Sequence, residues 1–165
     1  MSFRNLLRTD SDYSLTLVRL VLGFVFFAHG AQKALGWFGG HGYSATLNTF
    51  TEQMGIPVVF AVLAILAEFL GGIGVILGLL TRVAAFGITV NMAVAIALVH
   101  GNNGLFMNWQ SNQRGEGFEF HLLVLAITTL LMVRGAGALS LDRLIESRLS
   151  GGTTYHIHME PEASS

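Results

Sequence analysis

The run from Ile56 to His100 constrains the fold of this chain more than any other stretch. Glu68, Thr81, Arg82, Asn91 and His100 are nearly its only side chains that hydrocarbon would disfavour. A helix crossing a bilayer needs about 20 apolar residues, so the run is too long for one crossing. It carries one natural turn, Gly78-Leu79-Leu80-Thr81-Arg82. The expectation is two membrane helices folded back on one another, with a carboxylate near the middle of the first.

The remaining sequence extends this hairpin into an all-α membrane protein. Hydrophobic residues make up 52% and charged residues 12% of the chain, against a usual charged fraction of about 25%. Residues 1–12 read as a cytoplasmic N-terminus. A four-transmembrane-helix bundle then occupies residues 13–149, with spans at about 13–35, 57–80, 83–100 and 118–133. Residues 150–165 read as a disordered cytoplasmic tail. Ala28-His29-Gly30 loosely resembles a signal-cleavage site, but its apolar stretch contains Arg19 and continues to Leu35, so it is read as a retained span. In the first outer loop Tyr43, Leu47, Phe50 and Met54 recur at helical spacing, which predicts a short amphipathic helix lying in the interface. Trp37 and Tyr43 suit the headgroup belt. After Gly135 and Gly137, Ser140-Leu141-Asp142-Arg143 reads as the Ser-capped start of a short surface helix.

Loop charges orient the bundle. Arg4, Arg8, Arg82, Arg134, Arg143 and Arg148 fall on one side, Lys33 and Arg114 on the other. The positive-inside rule places both termini in the cytoplasm. The net charge of −1 offers no basic footprint for nucleic acid. With no cysteine, disulfides, thiol nucleophiles and thiolate-held iron–sulfur clusters are excluded, and no haem is expected. A redox role would use a bound quinone, metal or flavin, or a partner subunit.

Rise along each span places the polar groups in depth. His29, His100 and Glu119 come out roughly 22–26 Å above the cytoplasmic end, Glu68 about 18 Å and Arg19 about 9 Å. On the first span Gly23, Phe26, His29, Gly30 and Lys33 share a face with Arg19; on the second, Ala61, Ala64, Gly71, Gly72 and Val75 surround Glu68. Small residues allow close helix approach, which turns Glu68 into the bundle. One reading is a pocket in the outer half of the bundle lined by Glu68, His29, Lys33, His100 and Glu119, with Arg19 as a charge partner below. The other is a buried Arg19–Glu68 pair that fixes helix register. Asn91 falls about 180° from His100 on an ideal helix and is read as an interhelical hydrogen bond outside the pocket. His121, about 200° from Glu119, is expected to face elsewhere. No spacing resembles a metal-ligand pair, and His156-x-His158 lies in the tail.

Several blocks in order resemble one family. They are Arg19-Leu20-x-Leu22-Gly23, His29-Gly30-x-Gln32-Lys33 followed by Gly36-Trp37-Phe38-Gly39-Gly40, Ala67-Glu68-x-x-Gly71-Gly72 with Gly78-Leu79-Leu80-Thr81-Arg82, His100, Gly117-x-Glu119-Phe120, and Ser140-Leu141-Asp142. Together they look like the DoxX family, from about Arg19 to Asp142. The resemblance implies a four-helix protein of the bacterial inner membrane. Some members are described as subunits of thiosulfate- or quinone-linked oxidoreductases, others as parts of membrane assemblies for thiol and oxidative stress, and a few accompany systems for metal-binding peptides. A chain without cysteine would enter thiol chemistry only as a scaffold or quinone site.

Two functional expectations emerge. The first is an accessory subunit of a quinone-linked membrane oxidoreductase. There Glu68 with His29 or His100 would handle protons, while Lys33, Gln32, Trp37 and Glu119 would contact the quinone headgroup. Electrons would come from a membrane or extracytoplasmic redox partner. The second is a non-catalytic module that binds a lipid, small molecule or metal ion, or scaffolds other membrane proteins. Membrane lipid surrounds either, and a homo-oligomer is compatible with both.

Overall fold

The computed structural model describes residues 3–151, and the side chains of residues 5–149. Beyond residue 151, the tail with His156 and His158 lies outside the described residues. Those residues contain helices and no strand. A short α1 (Phe3–Leu7) precedes α2 (Tyr13–Leu35), which spans the expected first crossing; α3 (Gly42–Asn48) continues through a widened turn, Thr49–Gln53. Then come α4 (Val58–Leu77), α5 (Thr81–Ala95), α6 (Glu119–Arg134) and α7 (Leu141–Gly151). Three helical stretches are long and apolar enough to cross a membrane, Tyr13–Leu35, Val58–Leu77 and Thr81–Asn103. The last of these joins α5 to a π turn, Ile96–His100, and a 3-10 turn, Gly101–Asn103. At 16 residues, α6 would be about 24 Å long.

Four of these helices alternate in direction. The start of α2 meets the end of α4 through Arg19, and Arg82 at the start of α5 donates to Met132 O near the end of α6 and to Arg8 O. The core between them contains Leu22, Phe26, Val75, Ala85, Ile88, Met92, Val124 and Leu131. Large apolar side chains on the outside, such as Phe24, Phe60, Leu63 and Phe86, suit a lipid solvent.

Glycine sets the spacing of α2 against α4. A Cβ on Gly23 would lie 2.8 Å from Ile76 N, and one on Gly72 would lie 2.8 Å from the Cα of Phe27. Backbones therefore touch where side chains would otherwise hold them apart. At the tight turn after α4, Gly78 adopts a left-handed conformation with φ 64°, and a Cβ there would also meet Ser140 and Arg19. Both facts require glycine.

The expected register pair is corrected here. Arg19 is 1% exposed, but its guanidinium donates to four carbonyls: Ala136 O at 2.9 Å, Val75 O at 2.6 Å, Leu139 O at 2.5 Å, and Ile76 O. Two of these lie in the last turn of α4; Val75 O also accepts from Gly78 N at 3.2 Å, while Ile76 O is one that the helix end leaves without a helical partner. Arg19 thus ties α2, α4 and the segment after α6 together, and Glu68 finds its partners elsewhere. At the same end Asp142, also 1% exposed, accepts from Leu80 N at 2.7 Å and Thr81 N at 2.9 Å, while its own N–H donates to Gly78 O at 2.8 Å. The α4–α5 turn is capped from outside by a carboxylate 61 residues beyond Thr81 in the chain, a contact between distant segments that serves as a helix cap. Ser140 plays its expected part, accepting from Arg143 N at 3.3 Å.

Candidate functional site

Close packing at Gly30 brings α2 against the turn of α4 that bears Glu68. A Cβ on Gly30 would sit 2.7 Å from the carbonyl carbon of Glu68. Lys33, one turn further along α2, therefore reaches across and forms an ion pair with Glu68 Oε2. From α5, Asn91 Nδ2 donates to the other carboxylate oxygen, Oε1, at 2.8 Å. Three helices meet at one carboxylate, which is 6% exposed. The Lys33 side chain is 28% exposed, so the pair is buried on the acid side and open on the amine side.

Lys33 opens into a cleft of about 320 Å³ between the end of α2 and α3, lined by Gln32, Lys33, Gly40, His41, Thr46, Thr49 and Phe50. The loop after α2 builds one wall. Gly36 ends the helix at φ 75° and Phe38 sits at φ 52°, a conformation that side chains other than glycine rarely adopt. The chain then doubles back until Gly40 lies against Gln32, where a Cβ would be 2.6 Å from the Gln32 carbonyl carbon. Gln32 Nε2 donates to Phe38 O at 3.1 Å and holds the fold-back. Cleft size falls at the lower end of the range for small-molecule sites, about 300–1,000 Å³.

Of the expected site residues, Glu68, Lys33 and Gln32 come together here, and the others do not. His29 is exposed and makes no hydrogen bond or ion pair among the described residues. Trp37 is 53% exposed and meets Phe27 edge-on with ring centroids 6.5 Å apart, outside the cleft lining. Glu119 turns to the loop between α5 and α6, accepting from Met107 N at 2.9 Å. His100 contacts Glu116 O through Nδ1 at 2.8 Å and faces His121, with ring centroids 4.2 Å apart. His121 is 6% exposed and its Nδ1 has no partner among the described residues.

The expected opposition of Asn91 and His100 agrees with where the two side chains go: Asn91 meets the Glu68 carboxylate, while His100 turns to Glu116 and His121. The interhelical hydrogen bond expected of Asn91 is made to the site carboxylate itself, so Asn91 and not His100 belongs to the pocket. Asn91 and His41 are the site residues that sequence reasoning did not place there. For Asn91 a signal was present: it shares the Ala84, Gly87 and Ala95 face, the small-residue stripe along which a helix approaches its neighbour. For His41 none was. Among the described residues, no three His, Cys, Asp or Glu side chains are placed to hold a metal ion.

Comparison with known proteins bears on this geometry. The DoxX family model matches residues 14–101, the stretch that holds Arg19, Lys33, Glu68 and Asn91. The chain belongs to the DoxX family. An uncharacterized Haemophilus influenzae protein is 33% identical over 140 residues, covering 84% of this chain and 95% of the relative. The inner membrane protein YqjF of Escherichia coli is 29% identical over 137 residues, 83% of this chain and 95% of that one. CatD of Bacillus subtilis, whose name classes it provisionally as an oxidoreductase, is 29% identical over 129 residues, 78% and 84% of the two chains. No solved structure matches the chain. Like its DoxX relatives, the chain is a membrane protein.

Proposed function

We propose that this DoxX-family protein is an accessory subunit of a quinone-linked oxidoreductase in the bacterial inner membrane, crossing four times with both termini in the cytoplasm. The observation that carries the functional reading is the Lys33–Glu68 ion pair, buried at its acid end and opening at its amine end into the cleft beside α3. An ionisable pair inside a membrane helix bundle is costly and by default functional. A quinone needs two electrons and two protons to become a quinol. The Lys33 ammonium and Gln32 amide are donors of the kind that quinone carbonyl oxygens accept, Phe50 offers a ring face, and Glu68 can take and return a proton through Lys33. Electrons come from a partner protein.

Support for four crossings is the end of the bundle where Leu7–Asp12, Gly78–Arg82 and Arg134–Asp142 interlock. That end gathers Arg8, Arg82, Arg134 and Arg143, the basic side that belongs in the cytoplasm. The competing reading is a non-catalytic binding module. It draws on the fact that both Glu68 oxygens already have protein partners.

The test is binding of a short-chain ubiquinone to the protein in nanodiscs, followed by tryptophan fluorescence. Saturable binding is expected, and Lys33→Met should weaken it about 10- to 100-fold, the worth of one charge-assisted hydrogen bond. Non-saturable partitioning equal in both proteins refutes the quinone site. Saturable binding that no electron donor converts to quinol selects the non-catalytic module.

A further inference from the structure

We infer that the outward face of α7 is a docking site for an anionic phospholipid, with the lipid phosphate seated in the cleft between the Ala138–Ser140 segment and Arg143. In sequence α7 is balanced: Asp142 and Glu146 offset Arg143 and Arg148. The fold separates the two signs. Asp142 turns inward to Leu80 N and Thr81 N, and Glu146 turns inward to Thr9 N. Arg143 and Arg148 are exposed, and at about 100° per residue they flank the inward strip roughly 140° apart around the helix. The surface left outside is therefore cationic although the helix as a whole is neutral.

Shape and apolar surface agree with a lipid. A cleft of about 360 Å³ is lined by Ala138, Leu139, Ser140, Arg143, Leu144 and Ser147. Its donor is the exposed Arg143 guanidinium, a fork that a phosphate diester accepts; the Ser140 and Ser147 hydroxyls donate to Gly137 O and Leu144 O. Leu139 is 64% exposed and Leu144 49%, and both border the same cleft, so acyl chains have apolar surface beside the headgroup. Basic side chains flanked by leucine on an interfacial helix match the general form of a helix lying on an anionic leaflet. The inference does not depend on the quinone reading, because no residue is shared between the two clefts.

Native mass spectrometry of the full chain, released from nanodiscs of mixed phosphatidylglycerol and phosphatidylcholine, tests it. Preferential retention of phosphatidylglycerol is expected. Each basic side chain near an anionic surface is worth a factor of about five, so Arg143→Gln with Arg148→Gln should cut the preference roughly 25-fold. Arg143→Lys with Arg148→Lys should keep most of it, which separates charge from fold. Arg114→Gln, in the opposite loop, should leave it unchanged. Equal loss in the Arg114 variant, or no loss in the double Gln variant, overturns the site. So does displacement of the lipid by millimolar inorganic phosphate, which would mark a free-anion site instead of a lipid site.

Discussion

Replacing Asp142 by alanine should loosen the whole end of the bundle where the α4–α5 turn meets the start of α7. The carboxylate is 1% exposed and receives N–H bonds from Leu80 at 2.7 Å and Thr81 at 2.9 Å. Hydrogen bonds to a charged group contribute about 1.5–3 kcal/mol each, and loss of a helix N-cap alone costs about 0.5–2 kcal/mol. The two bonds share one cap, so their sum overcounts, and about 3 kcal/mol is the expected cost of Asp142→Ala. Asp142→Asn keeps the shape but offers only one accepting oxygen, with an amide N–H₂ facing a peptide N–H, and should cost about 2 kcal/mol. Reversible denaturant unfolding in detergent micelles, followed by far-ultraviolet circular dichroism, measures both. Amide exchange should report the loss first at Leu80 and Thr81, since those donors lose their acceptor. A cost under about 0.5 kcal/mol for the alanine variant would refute the capping argument. Fast exchange confined to α7, with Leu80 and Thr81 unchanged, would do the same.

The same structure sets other outcomes. Gly30→Ala places a methyl group against the backbone of Phe69 and Glu68, which cannot move aside as a side chain does. An overpacking cost of about 1–3 kcal/mol is expected, read as a lowered thermal midpoint, with quinone binding weakened as Lys33 is displaced. Asn91→Leu should leave the helices in place but free one Glu68 oxygen, and infrared difference spectra should show the carboxylate stretch shifting; an unchanged band would contradict the 2.8 Å bond. Asp12 caps α2 through Ser14, whose hydroxyl and then backbone N–H hold its carboxyl below the ordinary value of 3.8. Its folded value lies below the unfolded one, so its contribution is complete above about pH 4 and is lost as pH falls through the folded value. The Ser14 amide resonance should titrate with a midpoint below 3.8. A midpoint at or above that value would remove the cap.

Much of the architecture was legible because membrane helices are written in composition. The first span matches at both ends, Tyr13–Leu35, and the α4–α5 turn falls at the expected Gly78. The third helix begins two residues early, at Thr81, because the Asp142 carboxylate caps it there, and nothing local to Thr81 records that contact. Depth and helical angle identified Glu68 and Lys33 as inward groups. They set Asn91 and His100 on opposite faces but gave the pocket to His100 instead of Asn91, and they misassigned Arg19, because a guanidinium that satisfies carbonyls at a helix end needs no carboxylate. His29 fails for a simpler reason. Sharing a face within about 80° is too loose a criterion to separate the packed strip of α2 from its edge.

Two cations, Arg19 buried and Lys33 half-buried, thus have opposite meanings in one bundle. Among the described residues Arg19 has no ion-pair partner within hydrogen-bond reach, yet its guanidinium spends four of its five N–H bonds on carbonyls from two chain segments. A group so completely engaged serves stability. Lys33 engages Glu68 with one of its three N–H bonds and lines a cleft with the rest of its length. Replacing a buried ion pair by apolar residues is often neutral or stabilising. An exchange of Lys33 and Glu68 together for Met and Leu should therefore leave the fold intact while ending ligand binding, whereas loss of Arg19 takes the donor from Ile76 O, Ala136 O and Leu139 O and should cost the fold itself. Charge burial alone does not mark a site in such a protein. A buried charge with unspent donors beside open volume does.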